Sequence, residues 1–384
     1  MKIVVLGTGM IGTTIVHELA NSTKFDEILA VDGSETSLAN CLKTIQNPNV
    51  SGKVAALGEF DTVVKILQDA DIAIACLPHA LSLQTVKAAI EAKCNLVDLV
   101  GSKFEEKVEL DELAKSAGII IVPGCGVAPG IVSFLAARGV ELLDEADEAI
   151  MICGGLPKDP IPPLWYQVVF RLESVLGLYT RNPVAVEDGE IVQIPPFSGL
   201  ESLTFPNPVG ECEAIASDAH SVAHVLKDKV KRIYEKTVRY KGHFEKMKVL
   251  YELGFLDENP VEVDGQLITP KLLAMKLLEP NLKGKSKEDI TVLRVMVKGR
   301  KDNQELTLKW EMIDLYDNER NITSMAKTTG FPAVIMAEWI AEGKIPNIGV
   351  NPPEELIIGD FFDPFVSELE EKGINISFSQ EISG

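Results

Sequence analysis

A glycine triplet, one aspartate, two histidines and a cationic stretch are the parts of this 384-residue chain whose types and spacing carry chemistry. Gly7-x-Gly9-x-x-Gly12 follows the short β-branched run Lys2–Leu6 and precedes the apolar-periodic segment "TTIVHELANS". Strand, glycine turn and helix in that order form a dinucleotide fingerprint. Gly7 permits the tight turn, Gly9 lets a pyrophosphate approach the backbone, and Gly12 lets helix and strand pack closely. The helix N-terminus then faces the phosphates. Asp32 ends the next strand pattern, "DEILAVDGS", about 20 residues on, where a carboxylate accepts ribose hydroxyls and repels an extra phosphate. No arginine follows closely, so NAD is expected rather than NADP. The alternative is a glycine turn without a ligand.

Other residues fall where a substrate would be handled. "TVRYKGHFEK" interleaves Arg239, Tyr240, Lys241, His243 and Lys246, of which Arg239 and Lys246 suit a substrate carboxylate. The competing expectation is a strand or helix end with solvated charges. "VVFRLESVLGLYTRNP" brings Arg171, Glu173 and Arg181. His220 and His224 are four apart and share a helix face, but no third ligand is evident and no metal is expected.

These groups need elements to position them. After Asp32 the pattern continues as alternating helices and strands: "DTVVKILQDA", "DIAIACLP", "LSLQTVKAAIEAK", "NLVDLV", "KVELDELAKSAG" and "IIIVPG". Such alternation predicts an α/β Rossmann fold, a doubly wound parallel sheet, over residues 1–125. Ligands sit outside the carboxyl ends of such strands. That makes Pro78–His79, Asp98–Ser102 and Gly124–Gly130 the expected rim of the nicotinamide pocket. Met10, Ile11, Leu77, Pro78, Asp98 and Gly126 join the glycines and Asp32 as expected cofactor contacts. "VPGCGVAPGI" is expected to form the floor under the nicotinamide, or else a plain hinge, with Cys125 as a small packing residue.

Beyond residue 126 longer, alternating strand patterns appear: "ADEAIMICGGLP", "DITVLRVMVKG" and "QELTLKWEMIDLYD", the last two joined by the turn "GRKDN". A second α+β domain with a mixed sheet is predicted over 126–325. Helices over 326–384 are predicted to return to the first domain.

Composition narrows the partners. The chain is 46% hydrophobic and 24% charged with a formal net charge of −20, which disfavours nucleic acid and anionic membranes and tolerates a cationic small substrate. Its six cysteines form no C-x-x-C pair, which fits a reduced cytoplasmic compartment. No uninterrupted apolar run is long enough to predict a membrane span.

"GTGMIG" with Asp32, "CLPHA", "VPGCGVAPGI", "ICGGLP", "TVRYKGHFEK" and "GVNPPE" together resemble the saccharopine dehydrogenase-like oxidoreductases, over nearly the whole chain. Within them, Gly126-Val127-Ala128-Pro129-Gly130 and the "RYKGH" stretch look like the lysine 6-dehydrogenase form, whereas "SDAHSVAHVL" does not. The resemblance implies a homodimer that oxidises the ε-amine of L-lysine with NAD and water, giving 2-aminoadipate 6-semialdehyde, ammonia and NADH. It implies a proton acceptor, His79 or His243, since histidine titrates near neutrality. Glu173 would orient the attacking water, and Arg239 or Lys246 would hold the α-carboxylate. Cys153 matches a cysteine near the site in saccharopine enzymes and is otherwise a packing residue. Saccharopine or another opine-type substrate, ornithine, and a non-catalytic NAD-binding protein are the rival expectations.

Overall fold

The computed structural model describes residues 1–43, 45–168, 172–282, 284 and 286–382. The chain divides into two compact units. The first comprises Met1–Glu141, His220–Val225 and Ala326–Ile376; the second comprises Leu142–Ala219, Leu226–Met325 and Ser377–Gly384.

The first unit is built on a seven-stranded parallel sheet. In spatial order its strands are Gly349–Val350, Ile120–Pro123, Asn95–Asp98, Ile72–Ala75, Lys2–Leu6, Glu27–Asp32 and Val50–Val54. The inner strands read as continuous apolar runs, such as "IAIA" at 72–75 and "IIVP" at 120–123. Every residue of those two runs is buried, as helices on both faces require. Strand order reverses between Lys2–Leu6 and Ile72–Ala75, whose register pairs Leu6 with Ala75. A crevice opens at the carboxyl ends of such a pair. The segment "KVELDELAKSAG", expected as one helix, is broken at Leu110 into two short helices that end and begin beside it.

The second unit carries a nine-stranded mixed sheet. Its path runs Glu201–Phe205, Gly210–Ser217, Val230–Tyr240, Glu145–Pro157, Asp289–Lys301, Gln304–Leu315 and Ser377–Ile382. Val230–Tyr240 and Glu145–Pro157 pair in parallel, and the remaining pairs along this path are antiparallel. The hairpin expected at "GRKDN" turns through Asp302 and Asn303, with φ of +50° and +62°. The pleat gives the sheet two unlike faces. Ile152, Cys212, Ala214, Val238, Tyr240, Ile290 and Val292 pack together on one of them. The alternate residues Cys153, Glu213, Ser217, Glu235, Thr237 and Arg239 project to the other, and all six are buried.

The first unit runs through Glu141, where the helix Ile131–Glu141 packs against Pro353–Leu356. Ala326–Ile376 falls in the first unit and adds the strand Gly349–Val350 to the first sheet. Ser377–Ile382 instead pairs with Gln304–Leu315 in the second. Among the described residues no helix is long and apolar enough to cross a membrane.

Candidate active site

In the first unit the glycine turn is fixed by steric necessity. Gly7 has φ +93°, and a Cβ there would stand 2.6 Å from the Cys76 carbonyl oxygen. A Cβ on Gly12 would stand 1.9 Å from the Gly7 carbonyl oxygen. Gly9 differs, because a Cβ there meets nothing within 4 Å. Two of the glycines serve packing, and the third faces open space at the N-terminus of the helix Met10–Leu19. Met10 is 46% exposed beside it, and Ile11 is half-buried. First-turn amides and the positive end of the helix dipole suit a pyrophosphate there.

Asp32 is tied to this turn. One carboxylate oxygen accepts from the Thr8 amide at 2.6 Å and the Thr8 hydroxyl at 3.1 Å, and the other accepts from the Ser34 amide at 2.8 Å. It remains half-buried, as a ribose-binding carboxylate must. The residues present therefore fit a dinucleotide.

The rim loops lock onto one another. The Leu77 side chain lies against Gly7, and Pro78 caps the helix that begins at His79. His79 Nδ1 lies 3.0 Å from the Ser102 hydroxyl, joining two rim loops. Gly101 abuts Pro129 so closely that a Cβ would lie 2.5 Å from its ring. The exit loop closes on itself: the Gly126 amide donates to the Pro129 carbonyl at 3.0 Å, and Gly130, at φ +128°, crosses Gly126 too closely for any Cβ. This answers why "VPGCGVAPG" needs its glycines. Cys125 is 1% exposed, and burial pushes its thiol up, so it packs rather than reacts.

Asp98 is fully buried at the end of its strand. It accepts from the Ser82 hydroxyl at 2.5 Å, Lys107 Nζ at 3.0 Å and the Val100 amide at 3.0 Å. The sequence signal for a rim position was sound; the buried lysine nine residues later had no visible pattern. The histidine pair also resolves differently. His224 packs on Phe104 with ring centroids 5.5 Å apart, and His220 lies against Gly101 at the rim. Among the described residues no three metal-ligating side chains converge.

In the second unit "TVRYKGH" is a strand end, a turn at Gly242 with φ +87°, and the first residue of the helix His243–Glu252. This turn delivers Arg239 and His243 into one buried cluster. Arg239 is 1% exposed and lies over the Tyr166 ring, 4.7 Å from its centroid. Its Nη1 donates to the Thr237 hydroxyl at 3.1 Å and the Val238 carbonyl at 2.6 Å, while Nε and Nη2 meet no acceptor at hydrogen-bond geometry and the guanidinium stands beside the Tyr179 hydroxyl. A buried guanidinium with unspent donors is costly unless an anion supplies acceptors.

His243 is 2.9 Å from the Tyr179 hydroxyl through Nε2 and 2.8 Å from the Leu164 carbonyl through Nδ1. The Leu164 carbonyl only accepts, so Nδ1 carries the proton and Nε2 accepts from Tyr179. Burial, and then the Arg239 charge, hold its pKa down to about 3, against the opposing bond to Leu164. Both nitrogens of His243 are engaged, and it orients Tyr179.

Lys246 stands at the edge of this cluster, donating to the Gly242 carbonyl at 3.0 Å with Nζ 5.7 Å from the Trp165 ring centre. Cys153 pairs in register with Thr237, and burial pushes its thiol up, so it is a neutral packing group. Glu173 stands exposed on the helix Leu172–Gly177. Arg181 is also exposed, and Arg171 lies outside the described residues. Tyr166, Tyr179, Glu213 and Glu235 were not anticipated. The signal available for part of this was Glu235-x-Thr237-x-Arg239, polar residues at period two in an otherwise apolar strand.

Two family models cover this architecture. The saccharopine dehydrogenase NADP binding domain matches residues 3–122, and the saccharopine dehydrogenase C-terminal domain matches residues 126–374. The chain belongs to the saccharopine dehydrogenase family. It is an NAD(P)-dependent oxidoreductase of that family. It is 26% identical to carboxyaminopropylagmatine dehydrogenase of Synechocystis sp., over 97% of this chain and 96% of that one. It is 22% identical to the L-glutamate-forming, NADP(+) saccharopine dehydrogenase of Saccharomyces cerevisiae, over 97% of each. The apo structure of an L-Glu-forming saccharopine dehydrogenase from S. cerevisiae superposes with a TM-score of 0.81 over 100% of both chains at 19% identity, a match in fold.

The unequal roles of the glycines are testable. Gly12→Ala should lower the thermal midpoint by several degrees or abolish soluble expression. Gly9→Ala should keep the wild-type midpoint yet weaken dinucleotide affinity about tenfold or more, as read by fluorescence titration. Equal thermal losses in both variants would contradict the geometry.

Proposed function

We propose that this protein oxidises a carbon–nitrogen bond of an amino acid carrying a single carboxylate and a distal amine, with L-lysine as substrate and NAD as oxidant. The observation that carries this is the buried Arg239 guanidinium, whose Nε and Nη2 meet no acceptor at hydrogen-bond geometry, on a face that also carries Glu213 and Glu235. One such anchor suits one carboxylate, which it grips bidentately. Among the described residues of that cluster the other cation is Lys246, at its edge. Saccharopine carries more carboxylates than this set would satisfy.

Hydride acceptance is the chemistry that bound NAD supplies. The remaining roles fall to the chain. Gly9 and the helix Met10–Leu19 would hold the pyrophosphate and Asp32 the ribose, which favours NAD over NADP. Arg239 would fix which end of the substrate is presented. Tyr179, oriented by His243, would hydrogen-bond the bound substrate. His79, half-buried on the first turn of its helix at the sheet's carboxyl edge, would accept the proton lost from the ε-ammonium. A second reading is a secondary amine joining an amino acid to a polyamine. The name of the Synechocystis relative and the acidic pair Glu213 and Glu235 favour it.

NADH formation from NAD and L-lysine, with equimolar ammonia released, is the expected result, with saccharopine and ornithine as parallel substrates. Turnover of saccharopine alone would overturn the lysine reading. NAD should exceed NADP in kcat/KM by about tenfold or more, and Asp32→Ala should narrow the ratio; a preference for NADP would refute the cofactor assignment. His79→Asn should cut kcat by about 10²- to 10⁴-fold with NAD affinity unchanged. Wild-type turnover in that variant would remove His79 from the mechanism.

A further inference from the structure

Three segments far apart in the sequence meet at the carboxyl edge of the first unit's sheet. Beyond the strand Gly349–Val350, Glu354 lies on the short helix Pro353–Leu356. Glu354 is 2% exposed, and neither of its carboxyl oxygens meets a donor at hydrogen-bond geometry. The Ser221 hydroxyl, itself 1% exposed, stands beside that carboxyl, and the Cys125 thiol of the exit loop lies within its electrostatic reach. Ser221 belongs to His220–Val225, a segment of the first unit whose flanking residues on both sides belong to the second. Two further contacts hold that segment. His224 packs on the Phe104 ring, and His220 lies against Gly101, which in turn abuts the Pro129 ring.

We propose that Glu354 is a positioning residue of the rim: as a neutral acid it lets His220–Val225 seat on the carboxyl edge of the first sheet, and as a carboxylate it unseats them. The proposal does not depend on which substrate is oxidised. A neutral carboxyl is readily buried beside a hydroxyl and a thiol, since it can donate to or accept from Ser221. A carboxylate in the same place has lost its water and gained no cation. Lifting the segment that carries Ser221 restores that water. His220 then leaves Gly101, and Gly101 is the residue that bears on the Pro129 ring of the exit loop. Glu354 thus acts on the rim through the helix His220–Leu226, without touching the cofactor.

Burial sets the direction of the effect. It pushes Glu354 up from 4.5 to about 7, against Ser221 and the Glu354 amide, with Glu355 adding to the rise. Titratable and charged groups on the elements packed around it are few. The exit loop brings Cys125, whose thiol burial keeps neutral. The seated segment brings His220 and His224, and the helix Ile131–Glu141 brings Arg138 and Glu141, which pair with each other at 2.7 Å. Its own helix brings Glu355. Among the described residues, none of the groups acting on the Glu354 carboxyl is a cation. With the segment lifted, the carboxyl returns to its ordinary range. Seating is therefore fully favoured below about pH 4.5, weakens about tenfold per pH unit as pH rises to about 7, and levels off above that, roughly 300-fold in all.

Hydrogen exchange of the full chain, read by mass spectrometry from about pH 5 to about pH 9 and corrected for the intrinsic rate at each pH, tests this without turnover. Protection of His220–Val225 should fall about tenfold per pH unit between about 5 and about 7 and then level off. Leu99–Ser102, which His220 touches through Gly101, should lose protection in step. Glu354→Gln keeps the shape of the side chain and cannot ionise, so it should hold both segments at their low-pH protection throughout. Any contribution from His220 or His224 would survive in that variant and so be told apart. A wild-type profile that does not change with pH, a Glu354→Gln variant that keeps the wild-type slope, or a loss shared equally by the strands Lys2–Leu6 and Ile72–Ala75 would overturn the proposal. Opening of His220–Val225 with Leu99–Ser102 unmoved would overturn the role at the rim. The wild-type profile alone can refute the latch, whatever the stability of the variant.

Discussion

Everything in the first unit hangs on how closely two backbones approach at the reversal of strand order. The Gly7 carbonyl sits where a Gly12 side chain would be, and Gly7 itself sits against the Cys76 carbonyl. Contacts this short leave no freedom in where the helix Met10–Leu19 starts or which way it points. The position of its N-terminus, the reach of Asp32 to the Thr8 amide and the opening above Gly9 all follow from that approach. The constraint is geometric, so chemically similar replacements are not equivalent. A methyl group is tolerated at one glycine and excluded at its neighbours.

The second unit is organised by a different constraint, the cost of leaving charge unsolvated. A sheet face between helices ordinarily carries aliphatic residues. Here it carries Glu213, Glu235, Thr237 and Arg239, with Tyr166, Tyr179 and His243 packed around them. Some of these groups are internally satisfied. Glu213 holds the Phe244 amide, and His243 is held between Tyr179 and Leu164. The bonding capacity that remains belongs to Arg239 and Glu235. The satisfied groups set the geometry of this face.

The parallel sheet was legible in the sequence because its signals are local. A β-branched run, a glycine turn and a carboxylate at the next strand end lie within 32 residues, and each has one conformation that suits it. The hairpin through Asp302 and Asn303 was legible for the same reason. Long-range pairing was not. Nothing near Asp98 marks Lys107 as its buried partner, and nothing in "GHFEK" says that His243 is enclosed by Tyr179 and Leu164. Residue type suggested a base, and the enclosure was not visible. Nothing in "VVFRLESVLGLYTRNP" told that Glu173 is exposed. Strand alternation carried more information than was drawn from it, for the period-two set around Thr237 already distinguished a polar inner face.

The path of the chain between the two units bears on how the molecule is made. The chain passes from one unit to the other five times, at 141/142, 219/220, 225/226, 325/326 and 376/377. The first sheet is not complete until Gly349–Val350 joins Ile120–Pro123, more than two hundred residues after that strand leaves the ribosome. The second closes later still, with Ser377–Ile382. Vectorial synthesis therefore gives the nucleotide-binding half no head start. Its apolar edge strand must wait, exposed, while the rest of the polypeptide emerges. Each half needs segments far apart in the chain, a high-contact-order topology in which neither half exists as a contiguous, separable segment.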